Sequence, residues 1–495
     1  MENKNLRKSG VLAHITSLPS KFGIGDFGYS SKNFIDLLKN SGQKLLQILP
    51  IGPTEPYFDN SPYHSVSAFA INPLLISLEK LKEEGLISQD LSQYEIEETN
   101  IVQFEKVIDN KFKAFNSAYK NFKESEDFQK FCSENSFWLE DYAIFIALKK
   151  RFENRAWQEW PNEFKNRNLG ALNLAKDILK DEIKFVKFLQ FIAYKQILEM
   201  KDYANENGVE IIGDLPIYVD LDSPDVWANK ELFNLDDNGY PVKVAGVPPD
   251  YFNENGQLWG NPVYNWDKHL KTNFEWWIKR IAHLLQFVDI IRIDHFRGFV
   301  AYYAVDAGRE NAKIGEWIKV PVYEFFDTVK NNFPTMPFIA EDLGLITEDV
   351  VEVIERYNIP NMRVLEFAFD GSPENGYLPH NYKNPTVVYT GTHDHNTIVG
   401  WFKYELTNNG KSYLEKYLGK KTSLETINFD LIRLAHSSIA QFSILPVQDI
   451  LALDERFRMN TPGTSSGNWR FKLKFSDIDE GKFFKLKEIT EIYGR

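Results

Sequence analysis

Eight short apolar runs recur along the chain, each giving way to polar or charged residues: "GVLAHITSLPS", "KLLQILPIGP", "VEIIGDLPIYV", "VDIIRIDHFRG", "PFIAEDLG", "NMRVLEFAF", "TVVYTGTHDH" and "FSILPVQDIL". They are strand-length, partly β-branched and too short for helices. Amphipathic stretches separate most of them, for example "EDVVEVIERYN" after the fifth. Continuous apolar strands alternating with helices predict a parallel sheet buried on both faces, and eight such units predict a (β/α)8 TIM-type barrel of the α/β class. A doubly wound open sheet is the alternative. Its nucleotide-binding form carries G-x-G-x-x-G after the first strand, and this chain has none there.

Two inserts interrupt the alternation, so that one catalytic barrel over residues 1–495 carries both. Residues 73–207 read as a mainly helical subdomain. Phe104, Ile108, Phe112, Phe115, Tyr119 and Phe122 are spaced by threes and fours, and "IKFVKFLQFIAYKQILEM" predicts another long helix. Residues 220–265, rich in Gly, Pro, Asn and aromatics, read as substrate-covering loops over the barrel mouth. There is no internal repeat, low-complexity tract or flexible linker.

Composition narrows the function. The 495 residues are 43% hydrophobic and 26% charged, as in a globular protein, and the net charge is −13. No basic stripe is present to meet a phosphate backbone, so nucleic acid is not an expected partner and a neutral substrate is. The 38 Phe, 23 Tyr and 11 Trp mostly fill the core, although Trp and Tyr clustered in loops suit sugar faces. A single cysteine, Cys132, excludes a disulfide framework and a four-cysteine zinc site. No run approaches the ~18 apolar residues of a membrane span and no signal-type segment opens the chain, so a cytoplasmic protein without membrane contact is expected. A monomer or weak homo-oligomer is the accompanying expectation.

In such a barrel the reactive groups lie at the C-terminal strand ends. Those ends carry Asp214, Arg292, Asp294, Glu341, Glu366, His393 and Asp394. A carboxylate ending an apolar strand is costly to bury unless it is paired or used, so several on successive strands imply a concentrated acidic site. Paired carboxylates cleave or transfer glycosidic bonds. A metal site is the competing use, but the first strand offers only His14. If the seventh strand continued, His393 and His395 would share one side and Asp394 the other, so the three would not converge on an ion. No metal and no cofactor is expected.

"IIRIDHFRG", "FIAEDLG" and "YTGTHD" resemble the three catalytic motifs of the α-amylase clan of glycoside hydrolases. "GDLPIYV", "AGVPPDYFNENGQLWGNP", "LLQILPIGPT…SPYHSVSAFAINP" and "RMNTPGTSSGNW" resemble the 4-α-glucanotransferases, called amylomaltases or disproportionating enzymes. The likeness runs from about residue 10 to residue 469. Two departures stand out: His395 where many relatives are expected to have Asn, and a "GPTEPYFDNSPY" segment longer than the compact form of some members.

The resemblance implies that Asp294 is the nucleophile, Glu341 the general acid/base and Asp394 the stabiliser that grips and distorts the sugar. It implies substrate contacts from Tyr63, Asp214, Tyr251, Phe252, Trp259, Arg292, His393 and Asn460. His393 is expected to donate to the sugar beside Asp394, with His395 facing away. Arg292, two residues before the nucleophile, should keep Asp294 ionised, while Glu341 needs a raised pKa. A retaining double displacement calls for carboxyls about 5–5.5 Å apart. The implied substrates are malto-oligosaccharides and α-1,4-glucans, with glucose among the acceptors. Transfer and hydrolysis share the same glucosyl-enzyme, so an amylase-like hydrolase is the alternative. Tyr251, Phe252 and Trp259 would favour transfer by covering the bound chain and excluding water. A non-catalytic glucan-binding protein is a third reading, at odds with three intact catalytic motifs.

Overall fold

The computed structural model describes residues 7–249, 254–383 and 385–495. Strands β1 (Lys8–Leu12), β2 (Leu45–Gln47), β3 (Glu210–Leu215), β4 (Ile290–Ile293), β5 (Phe338–Ala340), β6 (Asn361–Val364), β7 (Thr386–Tyr389) and β8 (Phe442–Pro446) coincide with the eight apolar runs. They close into a barrel in sequential order, with β8 returning to β1, and every pairing is parallel. Strand alternation divides the core in two. Leu12, Leu45, Ile212, Ile339, Met362, Val364, Val387, Tyr389, Phe442 and Ile444 fill the barrel interior. Their neighbours Val11, Leu46, Ile211, Ile291, Phe338, Val388 and Leu445 face outward into the main core shared with the helices. Most crossovers are helical; the one from β6 to β7 is made by 3-10 turns at Leu365–Phe367 and Pro379–Asn381.

Between β2 and β3 the described elements are all helices and 3-10 turns, including Phe104–Asn121, Ser136–Arg151 and Lys180–Glu206. The face that Phe104–Asn121 buries differs from the aromatic stripe read from sequence. Phe104, Val107, Lys111, Ala114, Phe115 and Ala118 are buried, while Ile108, Phe112 and Tyr119 flank them. Lys111 belongs to the buried face because its Nζ donates to the carbonyls of Leu74 and Ile76, at 2.7 Å each, with Asp26 at 4.0 Å. Gln190 and Gln196 of the long helix play a similar part. Gln190 accepts the Ile71 N–H and donates to the Ile71 carbonyl, both at 2.8 Å, and Gln196 accepts the Ser77 N–H at 2.7 Å. Both amides satisfy main-chain groups on either side of the 3-10 turn at Pro73–Leu75.

The second insert is not the run of loops expected over 220–265. It contributes a short helix, Pro224–Ala228, and two strands, Lys243–Val247 and Gln257–Pro262. These join Ala301–Asp306 and Glu316–Lys319, from the connection after β4, in a four-stranded antiparallel sheet. Gly246 and Gly260 dilute the pattern of the insert's two strands, and Lys243–Val247 pairs with Ala301–Asp306 across about 60 residues of sequence, so that pairing leaves no local trace.

Candidate active site

Register places the central acidic pair. Ile293 of β4 lies opposite Ala340 of β5, so the next residues, Asp294 and Glu341, leave the ladder side by side. Backbone bonds lace the two strand ends beyond that point: Glu341 N–H donates to Ile293 O and Phe296 N–H to Glu341 O, both at 3.1 Å. His295, between them, adopts a left-handed conformation with φ 47°. Its N–H thereby points at Glu341 Oε2, 2.8 Å away, while Leu343 N–H reaches Oε1 at 2.8 Å.

One arginine ties the nucleophile candidate to the barrel interior. Asp214 and Arg292 are register partners on β3 and β4. Arg292 Nη1 donates to both Asp214 oxygens, at 2.9 and 2.7 Å, and to Asp294 Oδ1 at 3.0 Å. Tyr63 OH completes Asp214 at 2.8 Å from Oδ2. Asp214 has 0% of its side chain exposed and Arg292 4%, against 26% for Asp294. Asp214 and Arg292, expected to contact substrate, are buried in this structure, where Arg292 bonds Asp294 and Asp214 bonds Tyr63. Burial pushes Glu341 up to about 7, with the charge on Asp294 adding to it and Arg292 and the two N–H groups pulling the other way.

Asp394 stands on the opposite wall. Burial works against its charge, yet His393, with Nε2 3.2 Å from Oδ2, and Asn460, with Nδ2 2.7 Å from Oδ1, hold the carboxyl well below the usual range. Its side chain nonetheless remains 42% exposed to the cleft. Burial opposes a charge on His393, but Asp394 outweighs it and raises the imidazole above its ordinary value. The strand ends at Tyr389, so the alternation expected to separate His393 from Asp394 does not apply, and the two are in contact. His393 itself is buried against the stacked ring of Tyr63, 5.1 Å away; its ring reaches Asp394, not open cleft. His395 turns aside, its Nδ1 2.7 Å from Thr392 Oγ1 and its ring edge-on to Phe367.

The Trp259 ring lies 5.0 Å from His295, edge to face, on the Gln257–Pro262 strand. Tyr251 and Phe252 lie outside the described residues. Glu366, another strand-end carboxylate, is buried behind the Asp394 turn, where burial and then Asp449 and Glu405 raise it far above its ordinary value. A Cβ on Gly391 would stand 2.9 Å from its Oε1, so it packs against the turn and does not face the cleft.

Three contributors were not singled out from sequence. Trp469 stands 5.6 Å from Tyr63 and 6.0 Å from His393; Arg458 donates from Nη2 to the Asp394 carbonyl at 3.1 Å; the His295 backbone joins Asp294 to Glu341. Trp469 closes the quoted "RMNTPGTSSGNW" motif and was legible there as an aromatic in a polar loop. The other two act through main-chain atoms, which no residue type announces.

The family model described as 4-alpha-glucanotransferase matches residues 13–477. The 4-alpha-glucanotransferase of Aquifex aeolicus is 45% identical over 491 residues, covering 99% of this chain and 100% of that one. That of Synechocystis is 46% identical over 499 residues, covering 99% and 98%. Among solved structures, the amylomaltase from Streptococcus agalactiae in complex with acarbose superposes with a TM-score of 0.95 at 40% identity, covering 99% of each chain. With Asp294, Glu341 and Asp394 gathered in one cleft and likeness of this extent, the chain belongs to the 4-alpha-glucanotransferase family.

Proposed function

We propose that the chain moves α-1,4-glucan segments between malto-oligosaccharides, glucose included as an acceptor, by a retaining double displacement. Asp294 Oδ1 is engaged by Arg292, which leaves Oδ2 to attack the anomeric carbon. Glu341 donates its proton to the departing glycosidic oxygen, and a glucan with a free 4-hydroxyl leaves. An acceptor 4-hydroxyl then attacks the glucosyl-enzyme, Glu341 takes its proton, and the Asp294 carboxylate is released. Asp394, held ionised by His393 and Asn460, grips sugar hydroxyls and favours the oxocarbenium-like transition state.

The observation that carries this reading is the contrast between neighbours. Asp294 is paired with a guanidinium, whereas Glu341 is raised to about 7 by burial; one is set up to be an anion and the other to hold a transferable proton. Neither a cofactor nor a metal enters the scheme, and a cytoplasmic setting fits imported maltodextrins or glycogen fragments. Maltotriose should give glucose and longer maltodextrins while total reducing ends stay constant. A steady rise in reducing ends would favour the hydrolase reading instead.

A further inference from the structure

The turn at Pro56–Asn60 lies outside the carboxylate cluster, yet one of its side chains reaches the loop that carries Trp469. Asp59 and Asn60 both adopt left-handed backbone, with φ of 53° and 57°, a conformation that Asp and Asn tolerate better than most residues. The Asp59 carboxylate is 11% exposed and accepts from two sources. The N–H of Asn468 donates to Oδ2 at 2.8 Å, and Arg470 Nη2 donates to Oδ1 at 3.0 Å. Those two donors flank Trp469.

Trp469 needs holding. Its φ is 60°, a conformation costly for a bulky aromatic residue. Its own N–H donates to Met459 O at 2.7 Å, one residue before Asn460. The same stem is tied internally, since Asn468 Oδ1 accepts the Thr461 N–H at 2.9 Å. Asp59 thus pins both neighbours of a strained tryptophan whose ring completes the wall formed by Tyr63 and His393. An ordinary surface ion pair contributes little; this carboxylate is nearly enclosed and joins two segments about 410 residues apart.

We infer that Asp59 is a positioning residue for glucan transfer: by clamping Asn468 and Arg470 it holds the Trp469 ring against Tyr63 and His393 and so shapes the sugar-binding wall beside Asp394. This rests on the functional reading above. The carboxylate touches no reacting atom, so its influence passes through Trp469.

The test is a double-mutant cycle on maltotriose disproportionation, with kcat and KM read separately. Asp59→Ala should raise KM several-fold and lower kcat/KM by about tenfold, while the alkaline limb of the pH profile, set by Glu341, stays in place. Asp59→Asn keeps an acceptor for the Asn468 N–H and should recover most of the loss. In a Trp469→Ala background, Asp59→Ala should change kcat/KM by less than about twofold. Losses that multiply in the double variant, or full activity in Asp59→Ala, would overturn the inference. Should Asp59→Ala fail to fold, as a thermal melt would reveal, Arg470→Gln completes the same cycle with Trp469→Ala, and multiplying losses there overturn it equally. A wild-type enzyme that does not transfer would sink the functional reading; a wild type that transfers alongside multiplying losses would sink only the role of Asp59.

Discussion

Glu341 sets the pH behaviour of the site. An acid at about 7 must be protonated to release the leaving glucan, so kcat/KM should fall tenfold per pH unit above about 7, a slope that disappears in Glu341→Gln along with most of the activity. The same residue makes a stability claim. Its folded pKa, about 7, lies above the ordinary 4.5. The native state therefore binds the proton more tightly, and the contribution present below pH 4.5 is lost as pH rises to 7. Glu341→Gln should melt with wild type near pH 4 and be more stable at pH 8 by on the order of 3 kcal/mol, as parallel thermal melts will show. Arg292 makes the opposite case. Arg292→Ala leaves Asp214 and Asp294 facing each other without their shared cation, and should cost about 3–5 kcal/mol in denaturant unfolding. Asp294, Glu341 and Asp394 were legible as candidates because each follows an apolar run within a recognisable motif. That Asp214 shares Arg292 with Asp294, and that His393 contacts Asp394, was not. Both depend on which way a side chain leaves its backbone after the strand has ended.

The eight barrel strands were readable element by element, since a strand buried on both faces writes itself as a continuous apolar run. The small antiparallel sheet was not, because its outer strand Gln257–Pro262 is half exposed and interrupted by Gly260. Helix Phe104–Asn121 shows a third case: the periodicity was right and the buried face was misjudged, because a lysine with two carbonyl acceptors outranked partly exposed rings. Polar side chains that serve backbone are thus the feature hardest to read from pattern. Gln190 is the sharpest example, and Gln190→Leu should lower stability by about 2–3 kcal/mol by stranding the Ile71 N–H and carbonyl, measured as a shift in urea midpoint.

At the scale of the whole molecule, the barrel carries the three carboxylates and the second insert carries Trp259. Trp259, carried on the small sheet, lies against His295, so removing its ring opens one side of the cleft. Trp259→Ala should raise the ratio of reducing ends formed to glucan transferred several-fold, read by reducing-sugar assay against a maltodextrin ladder. The lacing of β4 to β5 has a consequence of another kind. Whether such an enzyme retains or inverts anomeric configuration depends on whether a water fits between two carboxyls, which requires a gap of about 6.5–9.5 Å. Here the peptide that follows one carboxylate is hydrogen-bonded to the other, and two further main-chain bonds fix the strand ends. Under the proposed double displacement, the spacing of the two carboxyls is therefore held largely by the backbone. Shortening a side chain can weaken catalysis, but exchanging one stereochemical outcome for the other would require rebuilding two strands of the barrel.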